Sequence, residues 1–248
     1  MPVRLLPPRR LRGVAGRRRP LHGCYSAPMS LSLVIFDLDG TLIDSAADLA
    51  HAVNGVLADL GAAPLTIPAV RAMIGDGTTK LIERALAARA LADADLAGAH
   101  HRFMERYAAE PLRATTVYPG VRAGLELLRE RSLRLAMCTN KTAQLAQTIL
   151  ERLELADFFA RIIGGDSLPY RKPDPRVLQA LLASFAAAPR DALMVGDSEV
   201  DAETAQAAGV QMVLMRYGYR RGPIEDIPCL AALEHFAVLP ELIASLPV

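Results

Sequence analysis

No tryptophan occurs in the chain, and aromatic residues make up only 5% of it. A surface that grips nucleic acid needs a basic groove and, for single strands, flat rings on which bases stack. Neither is available here. The formal net charge is +1, but seven arginines (Arg4, Arg9, Arg10, Arg12, Arg17, Arg18 and Arg19) and no acid fall in the first 30 residues, so the remainder is mildly acidic. Cysteine is scarce: Cys24, Cys138 and Cys229 are odd in number and far apart, which argues against a disulfide framework or a zinc site and fits a reducing, cytoplasmic setting. Lysine is scarcer than arginine, with only Lys80, Lys141 and Lys172. Residues 1–29 are rich in Pro and Arg, lack an apolar periodicity, and contain no run able to span a bilayer. They are expected to form a poorly ordered basic arm, with Met29 as an alternative start and no apolar stretch of the kind a secretory signal needs.

What the chain has is length and apolar content. With 248 residues, 52% of them hydrophobic, it can bury one domain carrying a sizeable insertion. Leu33 to Phe36 reads as a short buried strand. A helical block follows: Leu49, Val53, Val56 and Leu60 share one face, with Ser45 and Asp48 as an S-x-x-D capping signal and Gly61 as the stop. Thr66 and Pro68 open a helix ending near Gly75, Thr78 to Ala90 forms another, and Asp93 starts a third. This block, 46–114, is expected to be an all-helical cap inserted into an α/β core formed by 30–45 and 115–248.

From Tyr118 onward, short apolar strands alternate with amphipathic helices. The strands are Leu133 to Cys138, Arg161 to Gly164, Ala192 to Val195 and Val210 to Met215. Such alternation means right-handed crossovers and a Rossmann-like parallel sheet. Residues that follow the strands then share the carboxyl edge, where open α/β sheets bind ligands. Those residues are Asp37 and Asp39, Thr139 and Asn140, Gly164-Gly165-Asp166, Gly196-Asp197, and Tyr217-Gly218-Tyr219.

Asp37 and Asp39 put two carboxylates into a loop punctuated by Gly40. Two such charges at about 4 Å repel by roughly 1 kcal/mol in water and several-fold more near a protein interior, so the pair asks for a cation or a shared proton. Mg²⁺ suits them, because it takes hard oxygen ligands from one or two carboxylates and leaves positions for water and a phosphate. A bare D-x-D reads equally as turn and cap residues. Thr139 reads as a helix N-cap or as a phosphate donor at a helix start, Lys172 as a solvated surface charge or a phosphate-neutralising one, and Asp201 as a first-turn acid or a group that orients Lys172.

Taken together and in order, Asp37-Leu38-Asp39-Gly40-Thr41, Thr139 in Cys-Thr-Asn-Lys, Lys172 in Arg-Lys-Pro-Asp-Pro, and Gly196-Asp197 resemble the four motifs of the haloacid dehalogenase superfamily in its phosphatase branch. The resemblance implies that Asp37 is the nucleophile and Asp39 the general acid/base. It implies that Thr139 and Lys172 bind the phosphate, and that Asp197 holds Mg²⁺ with the Asp37 carboxylate and the Asp39 carbonyl. Asp201 would lie behind them. Lys141 is a weaker candidate for the task of Lys172, because its position fits a helix start. Asn140, Gly75 and Gly77 are expected to line the substrate site, although Asp76 would oppose an anion there.

Gly164 to Pro169, Lys172 to Pro175 and Tyr217-Gly218-Tyr219 further resemble the phosphoglycolate phosphatase group, which implies hydrolysis of 2-phosphoglycolate. Similar side motifs occur in phosphatases for amino-sugar and muramic acid phosphates, and a sugar-phosphate mutase would share the four motifs. A phosphorylated signalling receiver also carries acids, Thr and Lys on a parallel sheet, but is about half this length and has no cap. The expected partner is a small phosphorylated metabolite, with no nucleic acid and no membrane, and the chain is expected to work as a monomer or homodimer. Gly165, Tyr217 and Tyr219 have no chemistry that the sequence reveals.

Overall fold

The computed structural model describes residues 31–246; the arm expected over 1–29 and the start at Met29 lie outside them. β1 (Leu33–Phe36) is the centre of the molecule, and all four of its residues are fully buried. Strand β2 (Ile43–Asp44) and helices α1 (Ala46–Asp59), α2 (Ile67–Arg71), α3 (Thr78–Ala87) and α4 (Leu96–Ala109) follow. Next come β3 (Thr116–Val117), α5 (Val121–Glu130), β4 (Arg134–Cys138), α6 (Ala143–Arg152), β5 (Arg161–Ile163) and α7 (Arg176–Ser184). β6 (Ala192–Gly196), α8 (Glu199–Ala208), β7 (Gln211–Met215), β8 (Ala231–Leu233) and α9 (Leu239–Ser245) are the last elements of the described residues.

Six strands form one parallel sheet in the order β5-β4-β1-β6-β7-β8. Alternate residues of β1 point to opposite faces, as the strand period requires. Val34 and Phe36 pack with Leu125 of α5, Ile149 of α6 and Phe236, while Leu33 and Ile35 pack with α7 and α8 through Leu178, Leu181, Ala202 and Ala205. Helices therefore cover both faces, and the α/β expectation holds. Strands β2, β3 and β8 and helix α9 are additions to the elements expected from the sequence.

The block between β1 and α5 is helical as expected, with shifted ends. Thr66 caps α2 by accepting the Ala69 N–H, and this helix ends at Arg71, well short of Gly75. Helix α3 stops at Ala87 because the chain turns through a left-handed Ala90 (φ 56°). Asp95, not Asp93, caps α4, accepting from Gly98 N.

The Ser45–Asp48 capping signal is not used as a cap. The Ser45 hydroxyl donates to Asp39 (2.5 Å). Asp48 accepts the Ala114 and Thr115 N–H groups (2.9 and 2.8 Å) and the Thr115 hydroxyl (2.6 Å), so it ties the entry of the helical block to its exit. The two-residue strands β2 and β3 pair antiparallel at the same neck. The Tyr219 hydroxyl does the capping: it accepts from Ser45 N and Ala46 N at the start of α1 and donates to Asp44.

Candidate active site

The carboxyl edge of the sheet gathers the acids. Asp37 leaves β1 with its N–H on the Val195 carbonyl, and Asp197 leaves the neighbouring β6. Asp37, Asp197 and Asp201 each offer an oxygen within 4.8 Å of the others, and all three are buried. Asp201 lies in the first turn of α8, where its Oδ2 accepts from the Asp197 and Ser198 N–H groups and the Ser198 hydroxyl. Its Oδ1 accepts Lys172 Nζ at 2.6 Å, and the same ammonium lies 2.8 Å from Asp37. Lys172 is 3% exposed, so it is a site residue and not a solvated one.

Asp197 is clasped by Thr41 Oγ1 (2.9 Å) on one oxygen and by Tyr219 N (2.5 Å) on the other. Two glycines make room for it. A Cβ on Gly40 or Gly218 would collide with the Asp197 side chain, and Gly40 also has φ 88°, a conformation that favours glycine.

The charges do not balance. Asp37, Asp197 and Asp201 face one ammonium, Lys172, which leaves two negative charges unmatched. Burial accordingly pushes the Asp37 carboxyl up to about 7 despite Lys172, with Asp201 adding to the rise. Burial, then Asp201 and Asp37, push Asp197 up as well. Burial works against the charge on Lys172, but Asp201 and Asp37 outweigh it and hold the ammonium protonated. A buried set of hard oxygens short of two positive charges fits a divalent cation.

Asp39 stands apart from this cluster. Its carboxylate accepts from Ser45 Oγ and lies 3.1 Å from Lys141 Nζ. Lys141 is 5% exposed and also donates to the Tyr107 hydroxyl of α4 (2.9 Å). Burial opposes its charge, but Asp39 and Tyr107 more than compensate and raise its proton affinity. Lys141 does not stand in for Lys172; it serves the second carboxylate, and neither this nor Tyr107 was expected.

Several expectations need correcting. Helix α6 starts at Ala143, so Thr139 is not its cap, and the Ala143 N–H is taken by Asp166 (2.7 Å). Thr139 instead accepts from Lys141 N (3.2 Å) and borders the cavity beside Asp37. Asn140 borders the cleft as expected; its amide hydrogens go to the Gly75 carbonyl (3.0 Å), which joins core to cap, and to the Lys172 carbonyl (3.1 Å) within the core.

A cleft with about 440 Å³ of free space, open mouth included, lies between the sheet edge and the helices. Asp37, Asp39, Thr139, Asn140 and Lys141 form its floor, and Leu49, Ile74, Gly75, Gly77, Thr78 and Leu81 its roof. Asp76 does not point an uncompensated charge at it. That carboxylate is paired with Arg84 and Arg221, whose hydrogen bonds outweigh its burial and hold it below its ordinary value.

The tyrosines and Gly165 acquire structural roles. Tyr217 donates to the Thr41 carbonyl (2.7 Å), and its ring packs tilted against that of Tyr118, with centroids 4.2 Å apart. Gly165 donates its N–H to the Lys141 carbonyl (2.8 Å), and a Cβ there would strike the Asn140 backbone.

Comparison with known proteins agrees with this geometry. Residues 34–215 match the family model described as haloacid dehalogenase-like hydrolase, and the chain belongs to that family. Within it the chain sits in the phosphoglycolate phosphatase group and is a phosphoric monoester hydrolase. A phosphoglycolate phosphatase of Cereibacter sphaeroides is 45% identical over 218 residues, covering 86% of this chain and 98% of that one. One from Rhodospirillum rubrum is 47% identical over 212 residues, 83% of this chain and 88% of the relative. The crystal structure of a predicted phosphoglycolate phosphatase from Haemophilus somnus 129pt superposes with a TM-score of 0.83 at 31% identity, over 86% of this chain and 98% of that one. Among the described residues, no helix is long and apolar enough to cross a membrane.

Proposed function

We propose that this chain hydrolyses 2-phosphoglycolate to glycolate and phosphate through a phosphorylated Asp37, with Mg²⁺ as the cofactor. The carrying observation is the pairing of Asp37 with Lys172 at 2.8 Å, opposite Asp197 and beside Asp39, under a small cleft. The named relatives supply the substrate class.

The Asp37 and Asp197 carboxylates and the Asp39 carbonyl would hold the Mg²⁺, which when bound supplies charge neutralisation to the phosphate oxygens. Lys172 draws the phosphate onto Asp37, and Asp201 fixes the ammonium between them. The Thr139 hydroxyl gives a further donor. An Asp37 oxygen forms a bond to phosphorus as the ester P–O bond breaks, and the ester oxygen leaves with its electron pair and takes a proton from Asp39. Asp39, now a carboxylate, removes a proton from water whose oxygen attacks the aspartyl phosphate; inorganic phosphate leaves and Asp37 is restored. The Ser45 hydroxyl keeps Asp39 aimed.

The helical block 46–114 acts as a cap on the core formed by 30–45 and 115–248, and the free N–H groups at the start of α3, beside Gly75 and Gly77, face the far end of the substrate. All these groups come from one chain, which suits a monomer or a homodimer with independent sites, working in the cytoplasm. The test is phosphate release from a panel of small phosphate esters, with Mg²⁺ and with EDTA. The reading requires 2-phosphoglycolate to rank first and EDTA to stop turnover; a preference for a sugar phosphate, or phosphate transfer without net release, would overturn it.

A further inference from the structure

We infer that Lys141 is the specificity-determining residue of the cleft, the cation that receives the substrate's carboxylate. The inference rests on the phosphoglycolate reading and names the group that distinguishes this acid from other small phosphate esters.

Two buried ammonium groups lie against the two carboxylates on the floor of the cleft, Lys172 beneath it and Lys141 at its border. Lys172 lies against Asp37 and so marks the position of the phosphorus. Lys141 lies against Asp39, the group that must reach the ester oxygen. Whatever sits next to Lys141 is therefore the part of the substrate just beyond that oxygen. In 2-phosphoglycolate the carboxylate is one methylene beyond it.

The side chain is also held ready. An ammonium has three donors. One goes to the Tyr107 hydroxyl at 2.9 Å and one faces Asp39 at 3.1 Å, while the third has no protein partner among the described residues. Lys141 borders the cleft, so that donor can meet a ligand there. Tyr107 is 1% exposed, stacked on Phe103 of the same helix, and sets the ammonium's position from the cap side. The ammonium is thus fixed by one group from the core and one from the cap, so the preference for an acidic tail depends on the cap being seated. A neutral tail of the same length would leave the third donor unpaired in a buried place, and a bulkier tail would meet Leu49 and Leu81 of the roof.

The experiment compares 2-phosphoglycolate with 2-hydroxyethyl phosphate, which has the same length and an uncharged tail, in the wild type, in Lys141→Met and in Tyr107→Phe, all with saturating Mg²⁺. The readout is the ratio of kcat/KM for the two substrates, which cancels any loss common to both. Lys141→Met is expected to lower that ratio by about 10- to 100-fold, the worth of one charge-assisted hydrogen bond. Tyr107→Phe is expected to lower it by about 3-fold or more, since the ammonium loses its aim; this variant carries the test if Lys141→Met fails to accumulate. A ratio within 2-fold of wild type in the folded variant sinks the inference, because Lys141 would then serve both substrates alike. If the wild type itself does not turn over 2-phosphoglycolate, the functional reading fails first, and the two failures are distinct.

Discussion

Replacing Asp48 by Ala tests whether the neck of the cap is held as the structure shows. The carboxylate accepts two backbone N–H groups and one hydroxyl from Ala114 and Thr115. Ala114 is exposed, so water can replace its lost partner at little cost. Thr115 is 8% exposed, and its N–H and hydroxyl would both be stranded. Each buried polar group left unpaired costs about 1–3 kcal/mol, so the expected loss for the two is about 2–6 kcal/mol. In urea, with a slope of about 2 kcal/mol per molar, the midpoint should fall by about 1–3 M. Ser45→Ala is the control, since its hydroxyl serves Asp39 and not the helix start. It should depress turnover while shifting the midpoint much less than Asp48→Ala. A loss below about 0.5 kcal/mol for Asp48→Ala, or a larger loss for Ser45→Ala, would refute the neck and return the pair to an ordinary capping role.

Asp37→Asn should abolish phosphate release while raising the Tm of cation-free protein, because it takes one charge from three buried acids that share the single Lys172 ammonium; unchanged turnover would remove Asp37 as the nucleophile. Asp39→Asn should slow turnover by about 10²-fold or more, read as kcat on 2-phosphoglycolate. Thr41→Val takes a donor from Asp197 and should weaken Mg²⁺ activation about 10-fold, measured as the Mg²⁺ concentration for half-maximal rate. Asp37, pushed up to about 7 without the cation, binds its proton more tightly folded than unfolded. The stability this contributes is complete below about pH 4 and lost as pH rises through 7, so the Tm of EDTA-treated protein should fall between pH 5 and 8, and Mg²⁺ should restore more at pH 8 than at pH 5.

The carboxyl edge of the sheet was legible in the sequence because parallel strands deliver whatever follows them to one rim. Asp37, Thr139 and Asp197 needed only strand positions to be placed. Lys172 was harder, since its carrier loop has no strand end to fix it, and its motif made the case. Lys141 and Tyr107 were not legible: one lies in a loop of the core and the other on the last helix of the insertion, and no periodicity announces that they meet. Tyr219 failed for the same reason. Its N–H and its hydroxyl serve different partners, Asp197 and the start of α1, far away along the chain. The S-x-x-D signal at Ser45 misled because a distant phenol takes the Ser45 N–H that Asp48 would have served, while the two side chains themselves are turned to Thr115 and Asp39. β8 and the pair β2/β3 are two or three residues long, below the length at which alternation can be read.

Tyr219 has one more consequence. By fastening the beginning of α1 to the loop that grips Asp197, and with Asp48 and β2/β3 stitched nearby, it makes that flank of the cap an axle. Across the cleft, core and cap are joined by the hydrogen bonds from Asn140 to the Gly75 carbonyl and from Lys141 to the Tyr107 hydroxyl, and by the half-buried Arg221–Asp76 pair. A cap tethered in this way would swing open along the Gly75 rim and leave Asp197 in place at the anchored flank.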